Sequence, residues 1–424
     1  MANGINAHRV LKGTASKNGF LDRIDAPESV EDGLRAARDR IRSALRDAAR
    51  SWQQFVKREE LLEKAVAGGV MPSFSPKFRM QGSFAYRTLN DPPQKPPQQL
   101  DLDDGMFLPV SFFQANGGLH PAIASRGLFL LVERALQPLC DDQGWELDRS
   151  KPSCVRVKLA LRTHAHIDIA LYSIPDEQFV QLSESVLAKH AQDERIRLSG
   201  MLDLDEEVYR AIASEQILLA HREENWKPSD PRKLEVWFES AIKRHGYVAR
   251  RVSRYLKAWR DFQWPSCGLS SITLMSCVVA TLDALGKSVQ DERDDLTLEV
   301  VARELSNQLR RPIENPVVKG QYLDDTWTDE MRRDFCSRAS LLASACSSAL
   351  RASRTAEDVL AAYRSVLGPR VPADTALVSI EEEVPTRTEI SSAPAVLTSG
   401  LLRERGQETT TRQPVQKAGD RRYA

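Results

Sequence analysis

Gln99-Leu100-Asp101-Leu102-Asp103-Asp104-Gly105-Met106-Phe107-Leu108-Pro109 decides how this chain is read. Carboxylates and leucines alternate with the period of a β-strand, in which successive side chains point to opposite faces. Asp101 and Asp103 therefore project together, while Leu100 and Leu102 project into a core behind them. Such a pair suits a hard divalent cation, which takes carboxylate oxygens together with triphosphate oxygens, and so points to nucleotidyl transfer. Asp104, beside Gly105, reads as turn chemistry and is kept out of the set. Upstream, Gln81-Gly82-Ser83-Phe84 reads as a turn opening a short helix, where the Ser83 hydroxyl and backbone N–H groups can meet phosphate oxygens and Gln81 can assist. Between the two lies Asp91-Pro92-Pro93-Gln94-Lys95-Pro96-Pro97, a surface connection by its prolines.

Downstream, the run from Ser125 to Leu136 has a helical look, and two extended segments follow, Cys154 to Leu159 and His164 to Tyr172. In the second, Asp168 stands between Ile167 and Ile169. A carboxylate on an apolar strand is costly to bury without a partner, so its face is expected to meet Asp101 and Asp103, making a two-metal site of three carboxylates. His164 and His166 lie close by, but an oxygen-rich site for hard cations argues that His166 is structural or stands behind the ligands. Gly286-Lys287-Ser288 imitates the end of a P-loop, yet Thr281 occupies the position of the first glycine and the preceding segment reads as helix, so it is rejected.

The rest of the chain is predominantly helical. Ser29-Val30-Glu31-Asp32 reads as a helix start and Gly68-Gly69 as its stop, with Leu34, Ala37, Ile41, Leu45, Ala48, Trp52 and Phe55 as the core stripe. Arg35, Arg38, Arg42, Arg46 and Arg50 recur on a neighbouring face, read first as a solvated basic face and second as an effector site. Residues 204–222, 231–263, 267–286 and 328–365 also have helical spacing. Gly82-Ser83 followed by Asp101-Leu102-Asp103 resembles the polymerase-β-like nucleotidyltransferase core, and the fold class expected is α+β, a core with a long N-terminal helix followed by a helical lobe. Its boundaries are 1–225 for the core, 226–384 for the lobe and 385–424 for a tail expected to be disordered.

Composition fits a cytoplasmic enzyme. Across 424 residues, Lys+Arg and Asp+Glu are equal at 59 each, which leaves no strong nucleic-acid signal. No apolar run is long enough to span a membrane, and six scattered cysteines lack metal-binding spacing.

Read in order, Gln81-Gly82-Ser83-Phe84-Ala85-Tyr86-Arg87-Thr88-Leu89-Asn90, Asp101-Leu102-Asp103-Asp104-Gly105, His166-Ile167-Asp168, Leu256-Lys257-Ala258-Trp259-Arg260-Asp261 and Leu269-Ser270-Ser271-Ile272-Thr273-Leu274-Met275 resemble the bacterial cGAS/DncV-like nucleotidyltransferases, and most closely their DncV-type cyclic GMP-AMP synthases. The resemblance implies a cyclic dinucleotide or oligonucleotide synthase of antiphage signalling, with 3′,3′-cyclic GMP-AMP as the favoured product and a separate downstream effector. It further implies ATP and GTP as substrates and two Mg²⁺ ions, with Mn²⁺ as the alternative, held by Asp101, Asp103 and Asp168. Lys257 and Ser271 would contact the donor phosphates, Tyr86 would stack on a base and Arg156 would meet the acceptor nucleotide. A monomer is expected, whose C-terminal Ala424 would be joined to other molecules by a ubiquitin-transfer-like (E1/E2-like) enzyme. Two other classes stay open. An RNA- or protein-modifying nucleotidyltransferase would share the aspartates, and a nonenzymatic nucleotide-binding sensor should have lost one of them.

Overall fold

The structure, a computed structural model, describes residues 4–55, 75–109, 125–160, 164–175, 212–223, 225–286 and 292–381, with a few isolated positions between 176 and 181. The N-terminal elements are β1 (Gly4–Asn6), α1 (His8–Lys12), α2 (Phe20–Arg23) and the long α3 (Glu28–Arg50). The sheet region comprises β2 (Lys77–Gln81), α4 (Gly82–Ala85), β3 (Leu100–Pro109), α5 (Ser125–Gln143), β4 (Glu146–Asp148), β5 (Cys154–Lys158), β6 (Ala165–Ile174), β7 (Leu218–His221) and β8 (Asn225–Pro228). The helical lobe follows as α6 (Arg232–His245), α7 (Val248–Gln263), α8 (Ser271–Leu285), α9 (Asp294–Leu309), α10 (Asp329–Ser347) and α11 (Ala356–Leu367), closed by β9 (Ser379–Glu381). The α+β class holds.

β3 is the centre of the sheet, antiparallel to β2 on one side and parallel to β6 on the other. The far edge of β6 takes β5 and then β4, and near its C-terminal end the β7–β8 hairpin. Leu100, Leu102, Met106 and Leu108 of β3, with Ile167, Ile169 and Leu171 of β6, share one buried cluster with the stripe Leu34, Ala37, Ile41, Leu45 and Ala48 of α3. Register then dictates the opposite face. Gln81, Asp103, Asp168 and Arg156 form one row across four strands, and Asp101 stands beside His166 in the neighbouring row.

Two expectations about α3 are corrected. It starts at Glu28, after Pro27, without a side-chain cap, so Ser29 is not the capping residue; its described part ends at Arg50, and the expected stop at Gly68-Gly69 lies outside the described residues. Nor is the arginine row uniformly solvated. Arg35 and Arg50 are surface residues paired within the helix, but Arg38 and Arg42 are buried. Each follows a core position by one residue, about 100° round the helix, which puts it at the margin of the buried stripe. Asp104 is likewise no turn residue. It lies on the core face of β3 and accepts from Arg42 Nε at 2.7 Å and Nη2 at 2.6 Å, both side chains 1% exposed.

The second buried cluster belongs to the lobe, around Tyr255, Leu256, Trp259, Leu298, Leu305, Leu342 and Tyr363. It includes Ile5, Val10, Leu11, Phe20 and Ile24. The N-terminal segment, grouped by sequence with the nucleotidyltransferase core, thus contributes to the core of the lobe, and β1 pairs with β9. The predicted helix over 231–263 is two helices, broken at Gly246 with φ +81°. The predicted helix over 328–365 is α10, a π turn at Ser348–Ala352, and α11. Of the predicted helix over 204–222, residues 204–211 lie outside the described residues, and the remainder is a 3-10 turn and the β7–β8 hairpin. There the unpaired end of β6 captures Leu218 and Leu219 as strand, so tertiary pairing overrides local spacing. α9 was not anticipated. The expected disordered tail lies outside the described residues.

Polar anchors join lobe and sheet. Asn90 Nδ2 donates to the Arg254 carbonyl and Arg254 Nε donates back to Asn90 Oδ1. Gln94 and Gln98, from the proline-rich connection, donate to carbonyls at the C-terminal end of α7 and just beyond it, at Asp261, Phe262 and Trp264. All six cysteines are free thiols, and among the described residues no helix is long and apolar enough to cross a membrane.

Candidate active site

A cavity of about 1280 Å³ lies over the polar face of β3 and reaches the lobe. Pockets for one small ligand span roughly 300–1,000 Å³, and this cavity exceeds that range. Asp101 and Asp103 line it, with Gln81, Gly82 and Ser83 on one side and Lys257 and Ser271 opposite. Gly82 is required by its surroundings: its φ is +61°, and a Cβ would come within 1.8 Å of Asp103 Oδ2. The β2–α4 turn is thereby pressed against the carboxylate. Gln81 Oε1 accepts from Tyr172 Oη at 3.2 Å, and Ser83 Oγ reaches the Asp101 carbonyl at 3.5 Å.

Asp168 sits in register with Asp103 but is held from its far side. Arg156 clamps it with two hydrogen bonds of 2.7 Å, Nε to Oδ1 and Nη2 to Oδ2. The guanidinium lines the cavity above it. Burial pushes the Asp103 carboxyl well above the usual carboxylate range, and the charges of Asp101 and Asp168 push the same way. Asp101 Oδ1 is buried without a hydrogen-bond partner among the described residues. Three crowded carboxylates with one guanidinium between them lack positive charge, and a divalent cation is what they fit. Asp101, His166 and Asp168 each offer a ligand atom, all within 4.8 Å of one another.

On the lobe side, Lys257 is buried and donates to the Thr88 carbonyl at 2.6 Å. Burial pulls its pKa down to about 8, with Arg260 pulling the same way. Ser271 begins α8, whose cap is Ser270, and its hydroxyl accepts from Arg260 Nη1 at 3.0 Å. Tyr86 packs edge-on against Phe238 at 6.3 Å and borders the cavity. Every cavity residue singled out in the sequence is therefore brought to one chamber except Asp168, which lies beneath Arg156, and Ala424, which lies outside the described residues.

The family profile described as "Cyclic GMP-AMP synthase DncV-like, nucleotidyltransferase domain" matches residues 76–172, and that of the "Cyclic GMP-AMP synthase, C-terminal domain" matches 246–380. A cyclic GMP-AMP synthase of Escherichia coli is 32% identical over 336 residues, 70% of this chain and 76% of the relative. The chain belongs to the DncV-like nucleotidyltransferases.

Another member, the cyclic GMP-AMP synthase of Vibrio cholerae, is 36% identical over 250 residues, with 57% of this chain and 55% of the relative aligned. The chain thus matches about half of that relative's length. Among solved structures, Vibrio cholerae DncV in complex with the linear intermediate 5′ pppA(3′,5′)pG superposes with a TM-score of 0.70 at 25% identity, covering 90% of this chain and all of that one. Escherichia coli DncV bound to 3′-deoxy GTP gives 0.66 at 27% identity, covering 88% and 99%. As a DncV-like nucleotidyltransferase, the chain matches both profiles, the nucleotidyltransferase domain ahead of the C-terminal domain. Sequence reading missed Tyr172, Arg260 and Gln99, which position Gln81, Ser271 and His166. Tyr172 alone left a signal, its even spacing from Asp168 along β6.

Proposed function

We propose that this protein is a cyclic GMP-AMP synthase that uses ATP and GTP, releases two pyrophosphates per turnover and makes both bonds in one chamber. The observation that carries this reading is the placement of Asp101, Asp103 and Asp168 on one sheet face, the first two lining a cavity of about 1280 Å³ and the third held beneath Arg156. In each round an acceptor ribose hydroxyl attacks the α-phosphorus of a donor triphosphate. The new P–O bond forms as the bond to pyrophosphate breaks, and repetition with the roles exchanged closes the ring. Two divalent cations, Mg²⁺ or Mn²⁺, would supply acidity to the attacking hydroxyl and neutralise the departing pyrophosphate. Asp101, Asp103 and Asp168 would hold them.

The other residues bind and orient. Gly82 lets the turn approach so closely that Ser83 can face the donor phosphates, while Lys257 and Ser271 meet the same phosphates from the lobe. Tyr86, braced by Phe238, offers a ring to a base. Arg156, with both bonds on Asp168, has its remaining guanidinium nitrogen for the acceptor nucleotide. The product would act as a second messenger on a separate effector in antiphage defence, and Ala424 would be the point of conjugation by an E1/E2-like enzyme.

Pyrophosphate release from the purified protein tests the reading. It should require ATP and GTP together and fall by at least 10³-fold in an Asp101→Asn/Asp103→Asn variant whose circular dichroism is unchanged. Release from a single nucleotide added to RNA ends or protein would instead support a terminal or protein-modifying transferase.

A further inference from the structure

His166 is 6% exposed and its ring is held from one side only. Nδ1 lies 2.9 Å from Gln99 Oε1, which leaves Nε2 as the ring nitrogen turned towards the carboxylates. Nε2 has no aligned hydrogen-bond partner among the described residues. Asp101 Oδ1 stands 3.0 Å away, but the two atoms lack hydrogen-bond alignment, and each is buried with no hydrogen bond among the described residues. Two buried polar atoms this close with no hydrogen bond between them are costly in a protein interior. Asp101, His166 and Asp168 each offer a ligand atom, and these lie within 4.8 Å of one another, the spacing of groups that share one cation.

We propose that His166 is itself a ligand in the cation site, through Nε2, with Gln99 holding the ring from behind. The nearest alternative is a ring that only braces Asp101, but such a ring would put an aligned N–H on the carboxylate, and this one does not. The proposal deepens the synthase reading and rests on it for the purpose of the site. It has a chemical consequence that three aspartates alone do not. Imidazole is a poor ligand for Mg²⁺, which prefers oxygen, and a better one for first-row transition cations. A mixed nitrogen and oxygen set therefore favours Mn²⁺ over Mg²⁺ at this position.

The test uses the full chain without nucleotide, so that it reads the site and not turnover. Mn²⁺ is titrated by electron paramagnetic resonance, alone and in competition with Mg²⁺, and pulsed spectra of the Mn²⁺-bound wild type are searched for imidazole nitrogen coupling. Expected are a nitrogen coupling, preference for Mn²⁺ by tenfold or more, and a His166→Gln variant that binds Mn²⁺ about 10- to 100-fold more weakly, with Mg²⁺ affinity changed less than threefold. Absence of nitrogen coupling in the wild type overturns the proposal whether or not the variant folds. Equal weakening of both cations in His166→Gln also overturns it, in favour of a positioning role through Asp101. A cation site with nitrogen coupling in a protein that makes no cyclic product would refute the synthase reading and leave His166 a ligand; cyclic product without the coupling would do the reverse.

Discussion

Gly82 shows how narrowly the catalytic face is drawn. A methyl group there would meet Asp103 Oδ2 at 1.8 Å on a backbone of φ +61°, so Gly82→Ala must displace either the turn or the carboxylate. A shift of about 1 Å at a reacting centre costs on the order of 10²-fold, and kcat should fall by that much or more while the thermal midpoint moves by only a few degrees. Lys257 sets a pH limit. Its pKa is depressed to about 8, so the free enzyme carries the cation below that pH and loses it above, where attraction to a triphosphate is lost with it. The pH profile of kcat/KM for the donor nucleotide should therefore decline above about pH 8 and lose that limb in Lys257→Met, whose value should be low at all pH. The folded pKa lies below the unfolded value, so the same amine adds stability as pH rises from about 8 towards 10, a slope that Lys257→Met should remove. At this scale the sequence was informative where chemistry and period coincide: Asp101, Asp103 and Asp168 declare themselves by interrupting apolar strands. Arg156 did not reveal its clamp on Asp168, because a register between β5 and β6 is not written in either strand alone.

Among the elements, β3 and α3 carry the mechanical load, and the Arg42–Asp104 pair joins them beneath the catalytic face. Removing one partner of a buried pair leaves an uncompensated charge at a cost of about 3–5 kcal/mol. Arg42→Met should lower the stability measured by urea denaturation by an amount in that range, and Arg42→Met with Asp104→Leu should recover most of it. An equal loss in both variants would mean that the pair is not a closed unit. The strands around the site were legible because alternation fixes which side of β3 is wet. The same rule read to the end would have placed Asp104 with Leu102 and Met106 on the dry side; proximity to Gly105 suggested a turn instead. α3 was legible as a helix but not as an ion-pair partner, since a four-residue arginine spacing drifts round the helix and cannot say which members turn inward. Residues 218–222 misled because short apolar runs suit strand or helix equally, and the choice was made by the open edge of β6.

For the whole molecule, the chamber exists only while lobe and sheet keep their relation, and three side chains from residues 90–98 hold it. Gln94, Gln98 and Asn90 satisfy carbonyls along α7 and just beyond it, the helix that carries Lys257. Gln94→Ala with Gln98→Ala should raise KM for the nucleotides several-fold with a smaller effect on stability, because the bonds position one wall of the chamber rather than fill a core. Unchanged KM would show that the apolar contacts suffice. The N-terminal segment carried too little pattern to separate it from the nucleotidyltransferase core, and its β1 pairs with β9, more than 370 residues away in sequence. The central claim, that one chamber joins two different nucleotides twice, is tested most directly by mass spectrometry. The purified protein is incubated with ATP, GTP and Mg²⁺ or Mn²⁺, treated with phosphatase and followed in time. The account predicts a linear dinucleotide that rises and decays before a phosphatase-resistant cyclic GMP-AMP, neither appearing with Asp103→Asn; a phosphatase-sensitive linear product that accumulates without closing would contradict it.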